Sequence, residues 1–218
     1  MSELYHLVRP PRVASERPPV LVFLHGYGSH EEDLFGLAED FSPEFFVVSV
    51  RAPLSAGPGG FAWFPVDFTP EGLIADEKVA LNSRERLEQL LEVLPERYQT
   101  DPRRVLAVGF SQGAIMAASV ALASPESLGA AVLMSGRILE SSLVSAAPLS
   151  RLSQTSYLIV HGTKDRVLPV ENGRKSRLAL EKLGLQPQYQ EYEMEHTISK
   201  ESLELVTTWS RRWLENHL

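Results

Sequence analysis

At 218 residues, 44% hydrophobic and 22% charged with no block of like charge, the chain is long enough to bury a full core, and a single domain spanning 1–218 is expected. A formal charge of -7 and a pI near 5.4 argue against a nucleic-acid partner, which needs a clustered basic face. The absence of cysteine excludes disulfides, thiolate catalysis and cysteine metal sites, and no apolar run is long enough to cross a membrane, so a cytoplasmic protein without membrane insertion is expected.

The first strong element is Val20-Leu21-Val22-Phe23-Leu24, set off by Pro18-Pro19 and stopped by His25-Gly26-Tyr27-Gly28-Ser29. Unbroken rather than alternating hydrophobicity predicts a strand buried on both faces, as in a parallel sheet covered by helices. Similar runs recur at Phe45 to Val50, Val105 to Val108, Ala130 to Met134 and Tyr157 to Val160, each followed by a loop rich in Gly, Ser or Pro. Between them, helices are predicted over Glu31 to Glu39, Asp76 to Arg97 and Asn172 to Leu183; in the second, Leu87, Leu90, Leu91 and Leu94 form one apolar stripe. The alternating Tyr189 to Met194 reads as the last strand. A C-terminal helix follows, with Ser199 as N-cap and Leu203, Val206, Ser210, Trp213 and Leu214 on one face. Strands alternating with helices at this spacing predict an α/β fold with a mostly parallel sheet.

One stretch breaks the alternation. From Arg51 to about Leu73 four prolines and Gly57-Pro58-Gly59-Gly60 predict a long connection without regular structure, yet Phe61, Trp63, Phe64 and Phe68 fall within eight residues. Such aromatics require burial, either under the loop itself or as an apolar wall for a substrate.

The chemistry centres on Gly109-Phe110-Ser111-Gln112-Gly113, placed between the apolar run at 105–108 and the small-residue stretch Ala114 to Ala118. Strand, sharp turn and helix is the setting of a nucleophile elbow, in which flanking glycines clear space around a serine held in a strained turn. A serine hydroxyl needs a base to take its proton and an acid to orient that base, and in this topology the two follow the serine in the order acid, then histidine. Asp165 is the only aspartate after Ser111 and lies just past a predicted strand. Of the three later histidines, His217 is penultimate and His161 precedes the acid at a strand end, which leaves His196, in the loop after the last predicted strand, as the base. For the oxyanion of acyl transfer the Gln112 amide at the helix start is one donor, and the Tyr27 amide in the loop after the first strong strand is the second. The histidines are scattered, and neither a metal-binding helix nor a phosphate-binding loop pattern is present.

With these residues in place the chain resembles the phospholipase/carboxylesterase family, the small α/β-hydrolases that include bacterial carboxylesterases and acyl-protein thioesterases. The likeness runs through Leu24 to Gly28, Trp63-Phe64, Asp101 to Val105, the Gly-Phe-Ser-Gln-Gly elbow, His161 to Pro169 and His196 to Ser199. It implies an α/β-hydrolase fold without a large cap domain, a Ser111-Asp165-His196 triad, an oxyanion hole from the Tyr27 and Gln112 amides, and ester or thioester hydrolysis without a cofactor or metal. Two positions depart from the family: Tyr27 stands where leucine is usual, and Glu195 rather than glycine precedes His196. The expectation is a serine carboxylesterase acting on short- to medium-chain esters, with Phe61, Trp63, Phe64 and Leu168 lining the substrate pocket and a homodimer left open. An acyl-protein thioesterase or lysophospholipase, and a catalytically silent binding protein of the same fold, are the alternatives.

Overall fold

In the computed structural model, which describes residues 3–69 and 72–217, the apolar runs form the interior of a seven-stranded sheet. In chain order the strands are β1 (His6–Arg9), β2 (Val20–Leu24), β3 (Phe46–Val50), the short β4 (Leu54–Ser55), β5 (Phe61–Ala62), β6 (Val66–Thr69) and β7 (Gly72–Ala75). They continue as β8 (Val105–Phe110), β9 (Ala130–Met134), β10 (Ser156–Gly162) and β11 (Gln188–Tyr192). The sheet order is β1-β3-β2-β8-β9-β10-β11, with β1 antiparallel to β3 and every other pairing parallel. The helices are α1 (Glu32–Phe35), α2 (Glu77–Tyr98), α3 (Gln112–Ala123), α4 (Glu140–Val144), α5 (Leu149–Leu152), α6 (Glu171–Lys182) and α7 (Lys200–Glu215).

Continuous hydrophobicity in the strands is explained by two cores. Along β2, Val20, Val22 and Leu24 turn to a layer built with the buried stripe of α2 and nearly all of α3, while Leu21 and Phe23 turn to a second layer shared with Val206, Trp213 and Leu214 of α7. Each strand residue therefore leaves water whichever way it points, and alternation has no reason to appear in the sequence. The registers place Leu24 beside Gly109 of β8 and Val50 of β3, so the loops after β2, β8 and β10 share one edge. No helix among the described residues is long and apolar enough to cross a membrane.

Three features differ from the sequence reading. The edge strand β1 was not expected; its four residues are only partly covered, as an edge allows. The helix expected over Glu31 to Glu39 is split into α1 and a 3-10 turn, Gly36–Asp40. The connection after β3 is not irregular: β4 and β5 pair antiparallel, as do β6 and β7, with Gly57 and Gly59 at positive φ turning the chain between the first two.

The helix starts follow the sequence signals. The Asp76 carboxylate accepts the Val79 amide at 3.1 Å to cap α2, and the Ser199 hydroxyl accepts the Ser202 amide at 3.2 Å to cap α7. Replacing Ser199 by alanine removes that acceptor and should lower stability by about 1 kcal/mol, read as a lower urea midpoint with unchanged slope.

Candidate active site

β8 passes into α3 through one residue, Ser111, whose φ of 54° and ψ of -116° lie in a region that L-residues rarely adopt. Its amide is held by the Met134 carbonyl at 2.9 Å. The turn is this tight because its neighbours lack side chains: a Cβ on Gly109 would collide with the Gly113 carbonyl, and one on Gly113 with the Leu24 carbonyl of β2. The elbow motif thus records two close approaches of backbone to backbone.

Ser111 is not isolated. The Ser111 hydroxyl lies 2.9 Å from His196 Nε2, and His196 Nδ1 lies 2.7 Å from Asp165 Oδ2. The other Asp165 oxygen accepts the Val167 and Leu168 amides at 2.9 and 2.8 Å, which fixes the carboxylate plane. Burial pushes the Asp165 carboxyl up, but the bonds from the His161 and His196 side chains and from the Leu168 amide outweigh it and hold the group well below the usual carboxylate range. An ionised Asp165 accepts Nδ1–H, which leaves the Nε2 lone pair of His196 facing the serine. The three residues come from the ends of β8, β10 and β11, which the topology brings to one edge. Glu195, beside the histidine, is exposed.

The relay opens into a cleft of about 190 Å³ with mainly apolar walls that include Tyr27, Val66, Phe110, Ile115, Val167 and Leu168. Leu168, expected in the substrate pocket, is one of these walls. Trp63 and Phe64 are not; both are completely buried in the core between sheet and α2, and neither lines the cleft. Phe61 is also absent from the cleft walls, and the Arg51 guanidinium lies over its ring at 4.5 Å. For Phe68 the side chain lies outside the described residues. The physical reason is that this segment acts as a brace. Trp63 donates its indole N–H to the His25 carbonyl at 2.9 Å, and its backbone N–H to Gln112 Oε1 at 3.0 Å. Gln112 Nε2 in turn donates to the Phe64 carbonyl at 2.8 Å, while the Gly28 N–H donates to the Phe61 carbonyl and the Phe61 N–H to the Ser29 carbonyl, beside the Tyr27 loop. The two candidate donor amides, Tyr27 and Gln112, are thus tied to one rigid segment, and no acceptor among the described residues takes either N–H.

A profile of the family described as Phospholipase/Carboxylesterase matches residues 9–214. The chain belongs to this family. It is 30% identical to a probable carboxylesterase of Oryza sativa subsp. japonica over 213 residues, 91% of this chain and 88% of the relative. Among solved structures it is similar to esterase PE8, at 29% identity and a TM-score of 0.82 over 97% of this chain and 99% of that one. It is likewise similar to the Bacillus cereus carboxylesterase, at 26% identity and a TM-score of 0.82 over 96% and 94%. The α/β-hydrolase fold expected from the sequence is therefore the fold of this phospholipase/carboxylesterase chain.

In this family member the structure also adds residues that sequence reasoning did not single out. Phe110, Val167 and Ile115 line the cleft because they adjoin or follow the motif residues by one turn, a signal that was available from their positions alone. Asp33 at the cleft edge, held by the Ser29 hydroxyl at 2.6 Å, carried no such signal. His161 is fully buried and donates Nε2–H to the Leu168 carbonyl at 2.7 Å, with Asp165 Oδ2 3.5 Å away, so it steadies the acid's loop. Among the described residues no cluster of three or more histidine and carboxylate side chains is arranged to hold a metal.

His25 is held in its neutral form. Its Nε2 accepts the Ala52 amide at 3.0 Å, so Nδ1 carries the proton and bonds the Gly26 carbonyl at 2.7 Å. Burial lowers its pKa, against an opposing effect of that carbonyl, because a charged ring would be desolvated and could not accept from Ala52. The unfolded chain binds a proton near pH 6.5 that the folded chain refuses, so this stabilisation is complete above that value and declines as pH falls below it. Asp165, also depressed, acts in the same direction only below about pH 4. Urea midpoints should accordingly fall between pH 7.5 and 5.5; equal midpoints would contradict a neutral His25.

Proposed function

We propose that the chain is a serine carboxylesterase that hydrolyses short- to medium-chain esters through an acyl-enzyme. Membership of a hydrolase family with carboxylesterase relatives supports the broad class, and the single observation that carries the mechanism is the unbroken hydrogen-bonded relay from Ser111 through His196 to Asp165. Ser111 Oγ attacks the ester carbonyl carbon while its proton moves to His196 Nε2, and the carbonyl oxygen becomes an oxyanion facing the Tyr27 and Gln112 amides. Collapse breaks the bond to the alcohol oxygen, which leaves with the proton from Nε2. Water then attacks the acyl-enzyme, gives its proton to His196, and releases the acid as Ser111 takes the proton back. Asp165 holds Nδ1–H throughout and offsets the imidazolium charge. The small cleft, without an inserted lid domain among the described residues, supports short acyl chains over long ones.

The same relay would serve a thioester, so a panel of p-nitrophenyl esters and acyl thioesters of matched chain length is the discriminating measurement. The expected result is highest kcat/KM on esters of short or medium acyl length. Labelling by a fluorophosphonate, present in the native protein and absent in Ser111→Ala, separates this reading from a silent binding protein.

A further inference from the structure

Beside the cleft runs a second groove of about 250 Å³, lined by Leu34, Leu37, Thr197 and Ile198. Cleft and groove meet at three shared residues, Asp33, Phe110 and His196. His196 Nε2 is the atom that hands a proton to the departing alcohol oxygen, so the space on the His196 flank is where the alcohol part of an ester lies. Asp33 is the one carboxylate among the described residues lining either space. Its Ser29 bond fixes one oxygen; its side is solvent-facing, and no lysine or arginine among the described residues pairs with it. The Phe110 ring lies against the His196 ring at 4.9 Å between centroids, and the Tyr27 ring stands at the cleft wall. A carboxylate where cleft and groove meet, beside the Phe110 ring that lines both and the Tyr27 ring that lines the cleft, is the chemistry that attracts an ammonium group.

We infer that the junction of cleft and groove at Asp33 selects esters whose alcohol carries an ammonium group, with Asp33 as the specificity-determining residue. The inference rests on the proposed esterase reading, because it places the leaving alcohol beside His196. A net charge of -7 favours the approach of such substrates as well.

The test compares kcat/KM for butyrylcholine and for its uncharged carbon isostere, 3,3-dimethylbutyl butyrate, with p-nitrophenyl butyrate as reference. The native protein should favour the cationic ester by about threefold to tenfold at low salt, the range of a partly exposed charge pair and cation–π contact. That ratio should shrink in 0.5 M NaCl, approach one in Asp33→Asn, and largely return in Asp33→Glu. Because it is internal to each variant, a general loss of activity does not affect it. Equal turnover of the two esters by the native protein, or a ratio preserved in Asp33→Asn, overturns the inference while hydrolysis of p-nitrophenyl butyrate leaves the esterase reading standing. Loss of all three activities in the native protein overturns both.

Discussion

The Ser111→Ala protein should remain folded and lose hydrolysis of p-nitrophenyl butyrate by about 10⁴-fold or more, since the relay has no second nucleophile to activate. The residual rate would come from donor amides and binding alone. Alanine keeps the β-carbon at a φ of 54°, so the strain of the elbow is retained. Ser111→Gly should be equally inactive but more stable, by about 1 kcal/mol, because glycine adopts this backbone region freely. Together the two variants separate the chemical role of the hydroxyl from the conformational cost of presenting it. Full activity in Ser111→Ala would remove the mechanism.

The largest effect on stability is expected at Gly113. Its added Cβ in Gly113→Ala would overlap the Leu24 carbonyl at the end of the buried strand β2, a backbone atom that no rotamer change can move aside. Either α3 lifts from the sheet or β2 shifts, and both disturb the layer that buries Ile115, Met116 and Ala117. The cost should exceed about 3 kcal/mol, as for severe overpacking, seen as a large fall in the denaturation midpoint or as insoluble expression. By contrast Gly36→Ala should be tolerated, because nothing lies within 4 Å of the new atom.

The sheet was legible from sequence because parallel strands buried on both faces leave apolar runs that nothing else in a polar background imitates. The edge strand β1 was not, since His6, Leu7, Val8 and Arg9 carry neither a run nor a repeated alternation. The relay was readable because topology orders nucleophile, acid and base along the chain, and Ser111, Asp165 and His196 each sit at a strand end. Trp63 and Phe64 misled for a definite reason. An aromatic's need for burial says nothing of whether a core or a substrate supplies it, and here the core does. Asp33 was invisible, since its place at the cleft depends on how the loop after β2 folds back toward His196 rather than on any pattern near it.

The brace from Phe61 to Phe64 has a consequence for how such a protein can change. Backbone and amide bonds from this segment secure the His25 to Ser29 loop and the head of α3, whereas the apolar walls of the cleft are other side chains. The brace residues Phe61, Trp63 and Phe64 are therefore distinct from the side chains that line the cleft. Diversity introduced at Tyr27, Val66 and Val167 can reshape which esters are accepted, while the amides behind them keep their aim.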